Sequence, residues 1–396
     1  MRLSSVTQQV SGSNQVGVRQ YNERVILSLI RENGALTKAE IAKATNLTPQ
    51  TAASIINRLC AQDLLIAGTK RRGGVGQPST PYSLNPDGAY SIGIKIGRAS
   101  TDILFMDFTG QVRTQFTHEY DFPTPNEVFT KIQESIFKLT DTLSPLQLER
   151  CTGIGVAAPF ALDGWSDELV EARNALRDWA KVDILHEVRK RTRFDVSLIN
   201  DATAACLAEI TFGNPQAWSN IIYIYVGTFI GGGVVMNGQI WNGSHSNAGA
   251  IGSLPTVNRK QLIHKASLHQ LDKTLKEHNL SANFANLSAS MGEEAWNHFT
   301  AWADSAAKYI ADAVAAGTAL LDPDGIIIDG RIPKVATNYL VSAVNAATSE
   351  TNWEGLEKPS ILAGHLGFEA RAKGGALLPI YSNFGLDNQA FLKAAG

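Results

Sequence analysis

Apolar residues recur at helical spacing in a short stretch near the N-terminus. Ala52, Ile55, Ile56 and Leu59 fall on one face, leaving Gln50, Thr51, Ser54, Asn57 and Arg58 on the other. Thr48 and Pro49 supply a capping hydroxyl and a first-turn proline, a strong helix start. Just upstream, Thr37 and Glu40 have the spacing of a capping box, and Ile41, Ala42 and Leu47 give that shorter helix its apolar contacts. Asn46 lies where the turn between the two helices requires a positive φ, which Asn tolerates well. An earlier helix is expected near Tyr21 to Glu32, behind a polar arm covering 1–20.

After Leu59 the period changes. LLIAGTKRRGGVGQPSTPYSLN predicts two strands around a basic, glycine-rich tip, with Lys70, Arg71 and Arg72 at that tip. Helix, turn, helix and hairpin in this order predict a winged helix-turn-helix over 21–85. Pro78, Pro81 and Pro86 with Gly88 mark its exit near Asn85. Beyond it, YSIGIKIGR, STDILFMDFTG and QVRTQFTHEY predict three antiparallel strands. A helix follows from Asn126 to about Leu143, then the strand CTGIGVAAPF. DVSLINDATAACLAEITFG predicts a strand ending at Asn200 and Asp201 and running straight into a helix. NIIYIYVGTFIGGGVVMNGQIWNG repeats the strand, turn, strand opening, and a long helix over Glu293 to Leu321 precedes the strand GIIIDG. Two such openings, near Gly93 and Gly227, predict two lobes of similar build facing a cleft.

Composition sharpens the division. Residues 1–90 hold ten Lys and Arg against five Asp and Glu, a balance of +5. The 396-residue chain is formally −2, leaving −7 for the remainder. Positive charge gathered on the small segment is the footprint of a DNA-binding unit. Thr48, Gln50, Thr51, Ser54, Asn57 and Arg58 are the candidates for the recognition helix, with Lys70, Arg71, Arg72 and Gln77 for the wing. No apolar run approaches the roughly 18 residues of a membrane span, and the polar N-terminus lacks a secretory pattern, so a cytoplasmic protein is expected. Cys60, Cys151 and Cys206 show no metal-ligand spacing and read as buried small hydrophobes.

The ordered motifs after residue 86 resemble the ROK family, which joins sugar kinases to transcriptional repressors on an actin-like, ribonuclease-H-like fold. An N-terminal winged helix marks its repressor branch, including xylose and N-acetylglucosamine repressors. The resemblance implies an α/β body with a first lobe over 86–206, joined by the C-terminal segment 380–396, and a second lobe over 207–379. It also implies where kinase chemistry would sit, and there this chain departs. In Gly93-Ile94-Lys95-Ile96-Gly97-Arg98-Ala99, Lys95 holds the position of a phosphate-loop aspartate and Arg98 that of a glycine. An ammonium cannot ligate magnesium, which takes oxygen ligands. The second phosphate loop, Gly227 to Gly233, carries Phe229 where a small residue is usual.

On the sugar side, Asn174 matches the family's substrate-contacting asparagine and Asp201 its catalytic base; Asp201 also suits a helix cap. Ala250 and Ser253 replace the family's glutamate and histidine, and no cysteine cluster follows, so no metal is expected. The ligand-binding candidates are Asn174, Asn200, Asp201, Thr228 and His245, with His269 nearby. The wing reads Gly76-Gln77-Pro78 where such repressors often have Gly-Arg-Pro, which shifts minor-groove attraction to Arg71 and Arg72.

The expectation is a sugar-responsive repressor, without cofactor or catalytic residue. It binds operator DNA as a homodimer or homotetramer and makes no membrane contact. The alternatives are a sugar kinase with a DNA-binding arm, which nucleotide binding distinguishes, and a regulator controlled by a protein partner, which no sugar would stabilise.

Overall fold

The computed structural model describes residues 15–70, 79–160, 162, 164, 176–213, 216–256, 259–280, 284, 287–288 and 292–386. The N-terminal unit comprises α1 (Gln15–Asn33), β1 (Leu36–Thr37), α2 (Lys38–Thr45), α3 (Pro49–Ala61), β2 (Leu65–Ala67) and β3 (Pro81–Leu84). Its strands are ordered β1-β3-β2, all antiparallel. Local chemistry sets its corners. Thr37 and Glu40 close the capping box of α2, and Asn46 ends that helix at φ 54°. The Thr48 hydroxyl accepts from Thr51 N at 3.2 Å to begin α3. Helix α1 runs back to Gln15, further than the start expected near Tyr21. The rest of the N-terminal arm, 1–14, lies outside the described residues.

The first lobe contains β4 (Tyr90–Ile96), β5 (Ser100–Asp107), β6 (Val112–Glu119), α4 (Pro125–Thr142), α5 (Pro145–Glu149) and β7 (Cys151–Ala158). It continues with a 3-10 turn (Asp178–Lys181), α6 (Ile184–Arg189), β8 (Val196–Asn200) and α7 (Asp201–Phe212). The second lobe contains β9 (Ile221–Val226), β10 (Ile230–Met236), β11 (Gln239–Ile240) and a 3-10 turn (Ile251–Ser253). Then come α8 (Ile263–Ala266), α9 (Leu268–Glu277), α10 (Glu293–Leu321), β12 (Gly325–Gly330), α11 (Lys334–Thr348) and β13 (Ser360–Ala363). The last helix is α12 (Ala370–Phe384).

Both lobes carry a five-stranded sheet of one topology, β6-β5-β4-β7-β8 and β11-β10-β9-β12-β13. In each, the first three strands of the lobe are antiparallel, and the last two run parallel to the first. This is the duplicated ribonuclease-H-like arrangement. It brings the carboxyl ends of β4 and β8 in one lobe near that of β9 in the other, where Arg98 lies over Phe229 and Arg371 joins Asp201 to Tyr225; the carboxyl ends of open α/β sheets are where ligands bind.

Helix α12 lies against the sheet of the first lobe. Gly93 and Gly155 are register partners on β4 and β7, and a Cβ on either would strike the backbone carbonyl of Ala372 or Gly375. The Gly93 that sequence reasoning assigned to a phosphate loop therefore serves close packing. The glycines of the other expected loop behave likewise. Gly231, Gly232 and Gly233 lie within β10, and a Cβ on Gly233 would meet Cys206 Cβ of α7 at 2.7 Å. Only Gly227 to Phe229 form the turn. Of the three cysteines, Cys206 is buried, whereas Cys60 and Cys151 are only partly so.

The reading unit and the body share one apolar cluster. Ile26, Leu27 and Ile30 of α1 join Ile55, Ile56 and Leu59 of α3, Met106 and Phe108 of the first lobe, and Ala376, Leu377 and Ile380 of α12. Each fully buried aliphatic side chain in it is worth roughly 1.5–3 kcal/mol. Polar ties reinforce the seam. Arg24 donates to the Ser382 and Gly385 carbonyls at 3.2 Å each. Arg31 donates to Phe108 O at 2.7 Å, and Arg150 pairs with Asp63 at 2.6 Å.

Candidate ligand cleft and DNA-reading face

The cleft is charged on both walls. On the first lobe, Lys95 points under the β4–β5 turn, not toward the cleft. Its Nζ donates to Ser100 O (2.9 Å), Ser100 Oγ (2.6 Å) and Asp102 Oδ2 (2.9 Å), using all three ammonium protons. Asp102 is completed by Thr117 Oγ1 at 2.8 Å. Burial, followed by the nearby Arg371, lowers Lys95 to about 8 against the partial rescue by Asp102. The lysine's ammonium is thus spent on Ser100 and Asp102. A Cβ at Gly97 would meet its Cε at 2.8 Å.

The two sequence departures meet across the cleft. The Arg98 guanidinium stacks on the Phe229 ring, 4.7 Å from its centroid, and donates to Gly164 O at 3.3 Å. Phe229 is backed by His269, edge-on at 6.0 Å. The N-terminus of α9 closes over the same turn, with His269 N bonded to Thr228 O at 3.1 Å and Ser267 Oγ accepting from Ile230 N at 3.0 Å. A cation–π contact thus joins the β4–β5 turn to the β9–β10 turn.

Deeper in, Asn200 caps α7, its Oδ1 accepting from Ala202 N (3.0 Å) and Thr203 N (3.2 Å). That leaves Asp201 free of the capping duty sequence reasoning considered for it. Its Oδ2 instead accepts from Arg371 Nη1 at 3.1 Å. Arg371, at the start of α12, also lies 4.9 Å over the Tyr225 ring. Burial alone would lower this guanidinium, but Tyr225 and Asp201 outweigh it and hold it above its ordinary value. Arg331 follows β12 directly. Its backbone N bonds Val226 O at 2.8 Å, and burial followed by Arg371 holds its guanidinium below the usual range.

Thr228 is partly buried at the cleft edge, and His245 is exposed on the loop after β11. Asn174 lies outside the described residues. Asp102, Tyr225, Arg331 and Arg371 were missed from sequence. Arg331 alone had a signal, its place just past the carboxyl end of a strand. Among the described residues no group of three or more His, Cys, Asp or Glu is arranged to hold a metal ion, and no helix is long and apolar enough to cross a membrane.

On the other side of the molecule, α3 presents Gln50, Thr51, Ser54 and Asn57 to solvent, with Thr48 exposed at its cap. Lys38 Nζ bonds Asn57 Oδ1 at 2.7 Å and steadies that amide. Arg58 departs from the expected set: it turns back onto α1, its Nε 2.5 Å from Glu23 Oε1. An i+1 step past Asn57 rotates it about 100° toward the domain's interior. Lys70 is exposed where the first wing strand ends; Arg71, Arg72 and Gln77 lie outside the described residues.

Residues 91–380 match the ROK family, and residues 19–66 match a winged helix-turn-helix DNA-binding segment. With the lobes, the cleft and the reading head in view, the chain belongs to the ROK family. Uncharacterized protein y4fQ of Sinorhizobium fredii is 26% identical over 374 residues, which is 92% of this chain and 91% of that protein. The xylose repressor of Bacillus spizizenii is 24% identical over 242 residues, 61% of this chain and 62% of the repressor's own length. A crystal structure of a ROK family transcriptional regulator, a homolog of the E. coli MLC protein, superposes with a TM-score of 0.66 at 20% identity. It covers 95% of this chain and all of that one, a likeness of fold.

Proposed function

We propose that this protein is a sugar-responsive transcriptional repressor that binds operator DNA as a dimer or tetramer and transfers no phosphate. One observation carries the reading: a helix-turn-helix with exposed polar residues along α3 is fused to a two-lobed body in which Lys95 pairs with Asp102 and Arg98 lies over Phe229. Phosphoryl transfer requires metal and a positioned nucleotide together. Lys95 engaged with Asp102, and Arg98 stacked on Phe229, oppose both. Asp201 keeps a carboxylate able to accept hydrogen bonds from sugar hydroxyls, beside Asn200 and Thr228, with Asn174 and His245 as further contacts. The relative named xylose repressor supports the class of ligand.

The linkage runs through α12. Arg371 at its first turn grips Asp201, and the carbonyls of Ser382 and Gly385 at its far end receive Arg24 of α1. A sugar that competes for Asp201 biases the position of α12, and with it the spacing of paired recognition helices. The test is incubation of the full-length protein with magnesium-ATP and a sugar panel, alongside calorimetry of the same sugars without nucleotide. Binding of at least one sugar without formation of sugar phosphate is expected. Measurable turnover would return the chain to the kinases, and silence of every sugar would favour control by a protein partner.

A further inference from the structure

Three guanidiniums, those of Arg98, Arg331 and Arg371, border the cleft, with the Lys95–Asp102 pair under the neighbouring β4–β5 turn, and their pairing is uneven. Asp102 is engaged by Lys95 at 2.9 Å and Asp201 by Arg371 at 3.1 Å. Arg98 is held by the Phe229 ring and Gly164 O. Arg331 is fixed through its backbone to Val226. Among the described residues, no ion pair or side-chain hydrogen bond engages its guanidinium. It follows the end of β12 beside Tyr225 of β9, in the field of Arg371, which Tyr225, Asp102 and Glu119 oppose in part; Arg371 itself lies over the Tyr225 ring. Arg371 Nε is also buried without an acceptor.

A partly buried guanidinium beside another of like charge is costly unless it serves recognition. Its planar fork of donors matches carboxylate and phosphate oxygens two at a time. The cleft thus keeps a sugar-facing carboxylate at Asp201 and, next to it, an excess positive charge with hydrogen-bonding capacity unspent.

Building on the reading that the cleft takes a carbohydrate, we propose that its ligand is an anionic sugar. The phosphate or carboxylate of that sugar is received by Arg331 and Arg371 while its hydroxyls reach Asp201. This assigns Arg331 as a specificity-determining residue, and it accounts for the cluster better than a neutral sugar, which would leave the charge excess uncompensated.

The experiment is calorimetric titration of the full-length protein, at fixed ionic strength, with neutral monosaccharides, their 6-phosphates, and the corresponding uronic and aldonic acids. Inorganic phosphate alone is the control. At least one anionic sugar is expected to bind roughly tenfold or more tighter than its neutral parent, as a charge-assisted pair provides. The ranking of phosphates against acids then names the anion. Arg331→Met should erase that preference while leaving the weaker neutral binding in place. Arg331→Lys, which keeps the charge but not the fork, should retain part of it, and serves if the methionine variant does not fold.

Neutral parents binding as tightly as their anions, in wild type and Arg331→Met alike, would overturn the inference while sparing the sugar reading. Phosphate alone binding as well as the sugar anions would overturn it by reducing the site to a free-anion sink. Failure of every carbohydrate, in protein that still binds DNA and melts cooperatively, would overturn both.

Discussion

Lys95 illustrates how one residue reverses a site's chemistry. Its folded-state value, lowered by burial and then Arg371, lies below the ordinary lysine value of 10.5. Between those two pH values the unfolded chain binds more protons than the folded one, so stability attributable to this group rises with pH across the window. Lys95→Met should remove that rise, a difference of order 3 kcal/mol at most between pH 8 and 10.5, read from paired denaturant titrations of the two proteins. An equal slope in both would contradict the burial of its ammonium. On α3, Gln50→Ala and Asn57→Ala should each weaken operator binding by about 1–3 kcal/mol without moving the melting temperature. Arg58→Ala should do the reverse, lowering the melting temperature slightly, since its Glu23 pair is partly exposed and worth about 1 kcal/mol or less. What was legible at this scale was local. Thr37 with Glu40, Asn46 and Thr48 with Pro49 declare themselves because each cap closes within three or four residues. The Arg371–Asp201 pair spans 170 positions and leaves no local mark.

Among the elements, the strands and helices with a clear period emerged from the sequence with boundaries close to those found. α10 is the clearest case, its residues Glu293–Leu321 matching the expected span. The glycine runs did not. A run such as Gly231-Gly232-Gly233 reads as a loop because glycine weakens strands, yet here it gives β10 a flank flat enough for α7. The same reasoning gives a test at Gly155, where an added Cβ would strike Gly375 O of α12. Gly155→Ala should destabilise the protein by about 1–3 kcal/mol through overpacking, measured by urea unfolding. Were the glycine serving a ligand instead, stability would hold while binding fell. Helix α12 itself carries no sequence signal of its importance, since its role follows from what lies at its two ends. Arg24→Met should leave the separate affinities for DNA and for ligand nearly unchanged, while shrinking the factor by which ligand alters DNA affinity. Anisotropy titrations with and without ligand measure that factor.

For the whole molecule, the balance of +5 in residues 1–90 and −7 in the remainder gives DNA a single face to approach. The acidic body discourages non-specific association, so affinity should fall steeply with salt, with the slope set by the contacts of the N-terminal unit alone. The two-lobed architecture was legible because the strand, turn, strand opening occurs twice. The docking of the N-terminal unit on the body was not, because it depends on an apolar cluster assembled from α1, α3, the first lobe and α12.

The central claim is that the cleft governs the reading head, and its most direct test is one titration. Operator fragments selected from random DNA by the full-length protein are bound in the presence and absence of the carbohydrate that calorimetry identifies, in wild type and Asp201→Ala. The account predicts sequence-specific, salt-sensitive binding that the carbohydrate changes by roughly tenfold or more, in the range of ordinary allosteric couplings, and a change lost in the variant. Operator affinity indifferent to a carbohydrate that demonstrably occupies the cleft would contradict it.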